Sequence, residues 1–347
     1  MFLKHLSLQN FRNYSKKDFN FSQDAILIVG PNTSGKSNLI EAIFFIACGR
    51  SFRIDRDEQL VKFEEDIARI KAEVEGRDLE VVISRGGAGG NLRPFKKYLV
   101  NGVSKRKIDF IGNFFAVIFA PNDLETIIGS PGMRRDFMDN ILTQTDRNYR
   151  LAMGFYEKGL RIRNALLHKA RETGKKPQKE FEYWDNLLIT QGQKITKKRE
   201  NLIEYLTVSK KDVLNFKIVY DKSIISKERL SQYEDAEIAS GVTLVGPHRD
   251  DFMVYLMGNH DIRFFGSRGQ QRLAILQLKV LELSFIEKVT LNRPILLLDD
   301  IFSELDKEHI NLVLEIIENQ QTIMTTTHEE FIPKRLLKSI NVIKLGE

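Results

Sequence analysis

The stretch that decides the fold reads Gly30-Pro31-Asn32-Thr33-Ser34-Gly35-Lys36-Ser37. It matches the phosphate-binding P-loop. An apolar run at residues 25–29 precedes it and predicts a buried strand, and residues 38–47 predict a helix. In this order the glycines let backbone N–H groups point inward, and the helix N-terminus adds partial positive charge beside a bound phosphate. The sequence therefore predicts a nucleotide-binding loop between a strand and a helix.

Two side chains of the P-loop have specific predicted roles. Lys36 is expected to reach the β- and γ-phosphates of the nucleotide, and Ser37 is expected to be a ligand of Mg²⁺. The other predicted nucleotide contacts come from the rest of the loop and the next helical residue: Gly30, Pro31, Asn32, Thr33, Ser34, Gly35 and Asn38.

A second motif, which is acidic, lies far along the chain, where the apolar residues 294–298 are followed by Asp299 and Asp300. This is the Walker B pattern, in which a buried strand ends in carboxylates. Asp299 is expected to hold Mg²⁺, and Asp300 is expected to lie near the γ-phosphate and orient the attacking water. The alternative is a solvated turn after a buried strand.

Residues 266–272, Gly-Ser-Arg-Gly-Gln-Gln-Arg, open a predicted helix before the Asp299 strand. A serine and a glycine at the start of a helix form a good anion-binding site. The segment resembles the signature motif of ABC-type ATPases in a shortened Ser-x-Gly-Gln form. The resemblance implies that Ser267, Gly269 and Gln270 act on the γ-phosphate held by a second subunit. An ordinary N-capped helix is the alternative.

Two further segments fit the same superfamily. Ser303-Glu304-Leu305-Asp306 resembles the D-loop, which implies that Asp306 meets the partner subunit near its nucleotide. A predicted strand at residues 321–327 ends at His328, which resembles the switch histidine that hydrogen-bonds the γ-phosphate. An ordinary surface histidine is the alternative.

Composition narrows the class of protein. The 347 residues are 42% hydrophobic, enough for two domains or for one large domain with an insertion. The single cysteine, Cys48, excludes a disulfide framework and suits a reducing compartment. No apolar stretch approaches the roughly 18 residues of a membrane span. We therefore expect a cytoplasmic protein with no membrane partner.

The net charge of +6 is distributed unevenly. Residues 141–220 contain 17 lysines or arginines against nine acidic residues, a surplus larger than that of the whole chain. Helical spacing over residues 134–171 and 180–207 predicts two antiparallel helices there, interrupted at Lys175-Lys176-Pro177. A local basic surplus is typical of a polyanion partner, with phosphate contacts from some of Lys194, Lys197, Lys198 and Arg199. A solvated helical hairpin is the alternative.

A second basic segment lies at residues 95–107, where Asn101-Gly102 between two short runs predicts a β-hairpin. Its cations are the predicted DNA-binding residues Lys96, Lys97, Lys105, Arg106 and Lys107. Edge strands also carry lysines as protection against aggregation, so that interpretation is open as well.

Several motifs follow one another along the chain in an order that resembles that of a known protein family. They are Phe11-Arg12-Asn13-Tyr14, the P-loop, the Asn101-Gly102 hairpin, Phe119-Ala-Pro-Asn122-Asp123, Gly129-Ser-Pro-Gly-Met-Arg134-Arg135, Gly246-Pro-His248-Arg249-Asp250-Asp251 and residues 298–306. The order resembles the bacterial RecF family, recombination mediators of recombinational repair and replication restart that are related to the Rad50 and SMC ATPases.

The resemblance implies an α/β fold, an ABC-type ATPase head with an inserted, mainly helical second lobe. It implies a weak, DNA-stimulated ATPase that uses ATP and Mg²⁺, dimerises with ATP, and binds duplex DNA at gaps or single-strand/double-strand junctions near the nucleoid. RecR, RecO and RecA are the implied partners.

At the level of residues, the resemblance implies nucleotide contact by Arg12 and Asn13. Asn122 and Asp123 stand where ABC ATPases have a Mg²⁺-linked glutamine, which leaves the role of their loop open. Asp300 stands where most have glutamate, which implies slow hydrolysis.

The predicted domains are a head at residues 1–125 and 235–347, with neighbouring P-loop and Asp299 strands, and a helical lobe at residues 126–234. Two other functions are alternatives. One is a Rad50- or SMC-like DNA tether, which needs far longer heptad repeats than the lobe can hold. The other is the ATPase subunit of an ABC transporter, against which the basic insertion argues.

Overall fold

The structure of the chain, a computed structural model, describes residues 1–86, 93–303, 307–317, 320–327, 332 and 340–346. The chain forms two compact units. The first unit combines Met1–Leu124 with Leu276–Glu347, and the second unit is Glu125–Ile275. Within the described ranges, no helix is long and apolar enough to cross a membrane.

The strands and helices are numbered in chain order. The strands are β1 Leu3–Phe11, β2 Tyr14–Asn20, β3 Ile26–Val29, β4 Ile67–Val74, β5 Arg77–Ser84, β6 Phe95–Val100, β7 Val103–Lys105, β8 Ala116–Phe119, β9 Lys217–Asp221, β10 Asp251–Leu256, β11 His260–Asp261, β12 Ile295–Asp299, β13 Thr322–Thr326 and β14 Asn341–Lys344. The helices are α1 Lys36–Cys48, α2 Lys107–Phe110, α3 Glu125–Ile128, α4 Pro131–Thr145, α5 Arg147–Thr173, α6 Gln178–Val208, α7 Lys227–Gln232, α8 Glu234–Ser240, α9 Ile262–Phe265, α10 Arg268–Thr290 and α11 Lys307–Ile317.

A parallel sheet in the first unit carries the nucleotide motifs. Its strand order is β14-β3-β13-β12-β8, and each neighbouring pair is parallel. Four of its strands, β3, β8, β12 and β13, are buried along almost their whole length, as expected for strands covered on both faces. The P-loop leaves β3 and enters α1 as predicted.

One expectation about this sheet is wrong, because the P-loop strand and the Asp299 strand are not neighbours. β13 lies between β3 and β12 and pairs with both. All five β13 residues are buried, so its backbone needs ladder partners on both sides. The sequence showed three apolar runs but not their lateral order.

The other sheet of the first unit is antiparallel, in the order β2-β1-β4-β5-β6-β7. Alternating residues of β1 and β4 are buried, which gives this sheet one core face and one polar face. The hairpin prediction for residues 95–107 is confirmed. Asn101 and Gly102 have φ angles of 49° and 75°, the left-handed pair that a tight two-residue turn requires.

The second unit is mainly helical, but its long helical run is divided differently from the prediction. Residues 134–171 form two helices, α4 and α5, instead of one. The break is at Asp146, whose side chain accepts hydrogen bonds from the backbone N–H groups of Asn148 and Tyr149 and caps α5. Contacts such as Arg163 with Asp185 and Lys198 with Asp146 show that α5 and α6 run antiparallel, as expected.

The second unit also extends further along the chain than the predicted lobe. Residues 235–275, expected in the head, belong to this unit. The reason is β10, which pairs with β9 on one side and β11 on the other to form a small antiparallel sheet. The division at residues 275/276 falls inside α10.

Candidate functional site

The P-loop has a backbone that only glycine accommodates at two positions. Gly35 has a φ of 101°, and a Cβ atom there would lie 2.7 Å from the Tyr14 hydroxyl. At Gly30 a Cβ atom would lie 2.5 Å from the Leu345 carbonyl oxygen. Neither position has room for a side chain, so both glycines are structural requirements of the loop.

The N-terminus of α1 and Lys36 form the positive end of this site. Among the described residues, no side chain caps the first turn of α1, whose N-cap is Gly35. Its backbone N–H groups and the helix dipole therefore suit an anion. The buried Lys36 Nζ donates to the carbonyl oxygens of Gly30, at 2.7 Å, and Pro31, at 3.0 Å. Burial lowers the pKa of Lys36, while Asp300 and Asp299 act in the opposite direction.

Ser37 and Asp299 meet although they lie far apart in the sequence. The Ser37 hydroxyl donates to Asp299 Oδ1 at 2.9 Å, and the Thr325 hydroxyl donates to the same oxygen at 2.8 Å. A hydroxyl and a carboxylate side by side are hard oxygen ligands of the kind that Mg²⁺ uses together with phosphate and water. The Ser37 hydroxyl and the Asp299 carboxylate fit a metal ion that they would share with phosphates. Among the described residues, no group of three or more His, Cys, Asp or Glu side chains could hold a metal ion.

Asp300 occupies a left-handed backbone conformation, with a φ of 52°. Its N–H group donates to the carbonyl oxygen of Thr325, at 3.2 Å, and to the Thr325 hydroxyl, at 3.0 Å. Aspartate tolerates this conformation better than most residues. The neighbouring strand β13 therefore fixes the turn that follows β12.

Arg12 and Asn13, in the turn between β1 and β2, lie beside the P-loop. The Arg12 guanidinium donates to both carboxylate oxygens of Glu41, at 2.7 and 2.8 Å. The Asn13 amide donates to the Thr33 carbonyl oxygen at 3.3 Å and accepts a hydrogen bond from the Asn38 amide at 2.8 Å. Asn13 is thus bonded to the loop itself and Arg12 to the helix that follows it, and their contact with the nucleotide stays a prediction.

Three residues that build this site were not among the predicted site residues. Glu41 is completely buried and pairs with Arg12, Tyr14 donates to the Gly35 carbonyl oxygen at 3.1 Å, and Thr325 bonds Asp299. A signal existed for Glu41, because a lone acid within the apolar helix α1 must find a partner when buried. The tyrosine and threonine roles depend on contacts between distant strands and had no local signal.

The loop at Asn122 and Asp123 is fixed by a buried lysine. Asp123 Oδ2 accepts from the Ala120 N–H at 2.7 Å, and Asp123 Oδ1 lies 3.1 Å from Lys279 Nζ. Lys279 also pairs with Glu282 at 3.3 Å. Burial raises the pKa of Glu282 to about 7. Both oxygens of Asp123 therefore have protein partners in this structure.

The signature segment lies in the second unit and begins α10 with reciprocal capping. The Ser267 hydroxyl accepts from the Gln270 N–H at 3.2 Å, and the Gln270 side chain accepts from the Ser267 N–H at 2.9 Å. This is a capping box. At Gly269 an added Cβ would meet nothing closer than the Ser267 hydroxyl at 3.9 Å. The predicted residues Glu304, Asp306 and His328 lie outside the described residues.

The five cations of the β6–β7 hairpin do not form one patch. Lys105 lies opposite Tyr98 in the β6–β7 ladder. Tyr98 and Lys96 are two residues apart in β6, so Lys96 and Lys105 share one face of the sheet, whereas Lys97 points to the opposite face. Lys96 pairs with Asp57, and Arg106 pairs with Asp109 at 2.9 Å. Lys97, Lys105 and Lys107 are exposed.

The basic residues of α6 differ sharply in burial. Lys194 is exposed, Lys197 lies 3.8 Å from Glu200, and Lys198 pairs with Asp146 at 2.6 Å. Arg199 is only 2% exposed, so the prediction of phosphate contact is wrong for this residue. Its guanidinium faces the interior because α6 turns that side of its surface toward α4 and α5.

Arg199 is the centre of a buried polar cluster that we call the Arg199 network. Its guanidinium bonds Asp139 at 2.8 Å, Asp250 at 2.9 Å and the Pro247 carbonyl oxygen at 2.7 Å. Tyr149 also accepts from it, at 3.0 Å. The network joins α4, α5 and α6 to the segment before β10.

Two of the family-like motifs meet next to this network. Arg134 donates to both carboxylate oxygens of Asp251, at 2.6 and 3.0 Å, and Arg135 donates to the Asp250 carbonyl oxygen at 2.9 Å. His248 accepts from or donates to the Tyr156 hydroxyl at 2.8 Å. The motifs at residues 129–135 and 246–251 therefore hold the second unit together.

Comparison with known proteins gives consistent results. Residues 2–344 match the model of the RecF/RecN/SMC N terminal domain. The chain is 37% identical to the DNA replication and repair protein RecF of Thermosynechococcus vestitus, over 94% of this chain and 91% of the relative. It is 34% identical to that of Moorella thermoacetica, over 99% and 95%.

Solved structures agree with this result. The recombination mediator protein RecF-ATP in the RecFOR pathway is similar with a TM-score of 0.85 and 34% identity, covering 95% of this chain and 93% of that one. The Smc head domain of Pyrococcus furiosus has a TM-score of 0.52 at 17% identity, covering 99% and 93%. The second similarity shows the fold alone, and the predicted ABC-type ATPase head is confirmed.

Proposed function

This chain belongs to the RecF family of DNA replication and repair proteins, and from that membership we propose an ATP-dependent, DNA-binding ATPase of recombinational repair and replication restart. ATP binding brings two copies together on DNA at gaps or single-strand/double-strand junctions. Slow hydrolysis then resets them. The DNA-bound dimer works with RecR and RecO to help load RecA.

The observation that supports this proposal best is the meeting of Ser37 and Asp299 beside the N-terminus of α1. Mg²⁺ bound by these two side chains would neutralise charge on the phosphates. Lys36 would leave its carbonyl partners for the β- and γ-phosphates, and the α1 amides would hold phosphate oxygens. Asp300 would orient the attacking water, with its turn held by Thr325.

The dimer contacts rest on the signature segment. Ser267, Gly269 and Gln270 would present the start of α10 to the γ-phosphate held by the other copy. We retain Asp306 and His328 as candidates for the D-loop contact and the switch histidine. The second unit would serve as the inserted lobe, with the head made of the remaining chain.

DNA contact is assigned to the exposed cations of the hairpin segment, Lys96, Lys97, Lys105, Arg106 and Lys107, of which Lys96 pairs with Asp57 and Arg106 with Asp109. The exposed Lys194 of α6 is a second candidate. Long, flexible cations near duplex DNA bind phosphates without reading bases.

A DNA-tethering function of the Rad50 or SMC type fits less well. The longest helices of the second unit, α5 and α6, have 27 and 31 residues and so reach only about 40–47 Å. Identity to the RecF relatives is 34–37%, against 17% to the Smc head. Both observations favour the proposed function.

The proposal is tested by replacing the phosphate-binding lysine. Lys36→Met removes the charge that neutralises the terminal phosphates, so a fluorescent ATP analogue should no longer bind and ATP hydrolysis should be lost. Lys16→Met, at an exposed position of β2, is the matched control and should bind as the wild type does. Normal hydrolysis by Lys36→Met would refute the nucleotide site.

Dimer formation is tested separately with Ser267→Arg. The added cation opposes the dipole at the start of α10 and blocks the partner's phosphate. Nucleotide affinity should therefore stay near that of the wild type, while light scattering with ATP should show monomers only. Normal dimerisation of this variant would refute contact across the dimer.

A further inference from the structure

The Thr325 hydroxyl, on β13, contacts both acidic residues at the end of β12. It donates to Asp299 Oδ1 at 2.8 Å and accepts from the Asp300 N–H group at 3.0 Å. The other acceptor within reach, the Leu298 carbonyl oxygen, is further away, at 3.5 Å. A hydroxyl has one proton to donate, and the shorter bond to Asp299 takes it. One side chain thus joins the predicted metal ligand to the residue that is predicted to orient water.

The strand order of the parallel sheet is what brings this hydroxyl to the site. β13 lies between β3 and β12, and Thr325 pairs with Ile28 on one side and with Asp299 on the other. Side chains of directly paired residues point to the same face of a sheet. The P-loop begins at Gly30, two residues after Ile28. Thr325 therefore lies between the P-loop strand and the acidic end of β12, although it belongs to neither sequence motif.

The Thr325 side chain is held in one position. It is completely buried, and its branched Cβ restricts rotation about χ1. Its backbone also supports the site, because its carbonyl oxygen accepts from the same Asp300 N–H group at 3.2 Å. Asp300 has a φ of 52°, a conformation that persists in a residue other than glycine only when its surroundings hold it. Thr325 therefore fixes the turn from which the Asp300 side chain projects.

Two hydroxyl groups fix the orientation of the Asp299 carboxylate. The Ser37 hydroxyl donates to Oδ1 at 2.9 Å, and the Thr325 hydroxyl donates to the same oxygen. This arrangement leaves Oδ2 as the oxygen for a metal ion or for metal-bound water. Groups that orient a ligating side chain in this way typically contribute 10- to 100-fold to metal affinity or activity.

We propose that Thr325 is a positioning residue for ATP hydrolysis, which acts through Asp299 and Asp300 and does not itself touch the nucleotide. Its hydroxyl turns Asp299 Oδ2 toward the metal ion, and it holds the Asp300 backbone so that the carboxylate reaches the attacking water. The inference rests on the proposed function, which assigns Mg²⁺ and the attacking water to these two residues. Loss of the hydroxyl should therefore weaken metal binding and slow the chemical step more than it weakens ATP binding.

Thr325→Val removes the hydroxyl and keeps the branched shape of the side chain. The Asp300 N–H group still has the carbonyl oxygen of position 325 as its acceptor, and Asp299 still accepts from Ser37. Neither group loses its last partner, so the variant should fold and unfold in urea much as the wild type does.

Two measurements on the full chain separate metal binding from chemistry. With the protein in excess over a non-hydrolysable ATP analogue, Mn²⁺ followed by electron paramagnetic resonance should bind Thr325→Val about 10- to 100-fold more weakly than the wild type. With saturating Mg²⁺, single-turnover hydrolysis should slow by on the order of 10-fold. Affinity for a fluorescent ATP analogue in EDTA should stay near that of the wild type.

Two further variants show whether the effect belongs to this hydroxyl. Thr325→Ser keeps a hydroxyl at the same position and should restore most of the metal affinity and of the hydrolysis rate. Thr322→Val is the matched control and should behave as the wild type does. Thr322 is another completely buried threonine of β13, but its hydroxyl lies 3.3 Å from the Gln320 carbonyl oxygen instead of at the acidic residues.

Wild-type metal affinity and hydrolysis in Thr325→Val, with Lys36→Met inactive, would overturn this inference and leave the proposed function standing. Equal losses in Thr325→Val and Thr322→Val would also overturn it, because the effect would then belong to the strand. The same holds if Thr325→Ser recovers nothing. Normal hydrolysis by Lys36→Met would overturn the proposed function itself.

Discussion

The nucleotide site of the first unit and the Arg199 network of the second both gather charged side chains from distant parts of the chain, yet their charges have different partners. Asp299 is bonded by two neutral hydroxyls, and Lys36 by two backbone carbonyls. Arg199 is bonded by two carboxylates. A charge whose partners are neutral groups can still attract an ion or a phosphate. A buried charge that is neutralised by an opposite charge contributes to the structure instead.

Basic residues of this chain therefore differ in role according to their partners. Lys197, Lys198 and Arg199 are consecutive and all three are cationic, but only Arg199 is enclosed by the protein. Changes in the nucleotide site should alter ATP hydrolysis, whereas changes in the Arg199 network should alter the stability of the second unit.

The largest effect is expected for Asp300→Asn in the nucleotide site. Loss of a base or water-orienting group typically slows a reaction 10²- to 10⁴-fold. Asparagine tolerates the left-handed backbone at this position, so the fold and ATP binding should be retained. Single-turnover hydrolysis measures the effect, with urea unfolding as the control. An unchanged rate would move the catalytic role to Glu304 or His328.

A large loss of stability is expected for Arg199→Met. The change leaves Asp139 and Asp250 without their cation, and breaking a buried pair in this way costs about 3–5 kcal/mol. Trp184, the only tryptophan of the chain, lies on α6, so its fluorescence during urea unfolding reports on the second unit.

Lys197→Met is the matched control for Arg199, because it removes an exposed cation from the same helix. Its stability should change by no more than about 0.5 kcal/mol. Equal stability of the two variants would show that the Arg199 network does not hold the second unit together.

A moderate effect on DNA binding is expected when Lys105, Arg106 and Lys107 are replaced by alanine together. Each lost phosphate contact flattens the plot of log K against log[salt] by about 0.9 for duplex DNA, so the slope should fall by up to about 3. Titrations from low to physiological salt measure it. An identical slope would assign DNA contact to the α6 cations instead.

The smallest effect concerns His248, beside the Arg199 network. Burial lowers the pKa of His248 to about 4, and the cations Arg249, Arg135 and Arg163 act in the same direction. Its usual value is about 6.5, so the unfolded chain binds the proton first. Stability from this group is therefore complete above about pH 6.5 and is lost as the pH falls toward 4.

His248→Gln isolates this contribution, because glutamine keeps a polar group between Tyr156 and Thr243. From pH 7 to pH 5 the wild type should lose on the order of 1–2 kcal/mol more stability than the variant, a range that allows for partial solvent screening. Asp250, whose pKa is raised by burial, acts oppositely but is common to both proteins. Parallel pH profiles would contradict the prediction.

The local elements of both regions follow from short stretches of the sequence. The glycines and Lys36 of the P-loop, the acidic end of β12, the Asn101-Gly102 turn and the start of α10 at Ser267 are each specified by a few neighbouring residues, because backbone sterics, capping and helix dipoles act over one or two turns. The order of these motifs also indicated the family, which the comparisons confirmed.

Which distant residues meet depends on the tertiary structure. The place of β13 between β3 and β12, the bond of Thr325 to Asp299, the pairing of Glu41 with Arg12 and the enclosure of Arg199 all depend on strand order and helix rotation. Sequence spacing limits which side of a helix a residue occupies but not what packs against that side. The same four basic residues of α6 could therefore be assigned to solvent, to DNA or to the core until their partners, Asp139 and Asp250 among them, were placed.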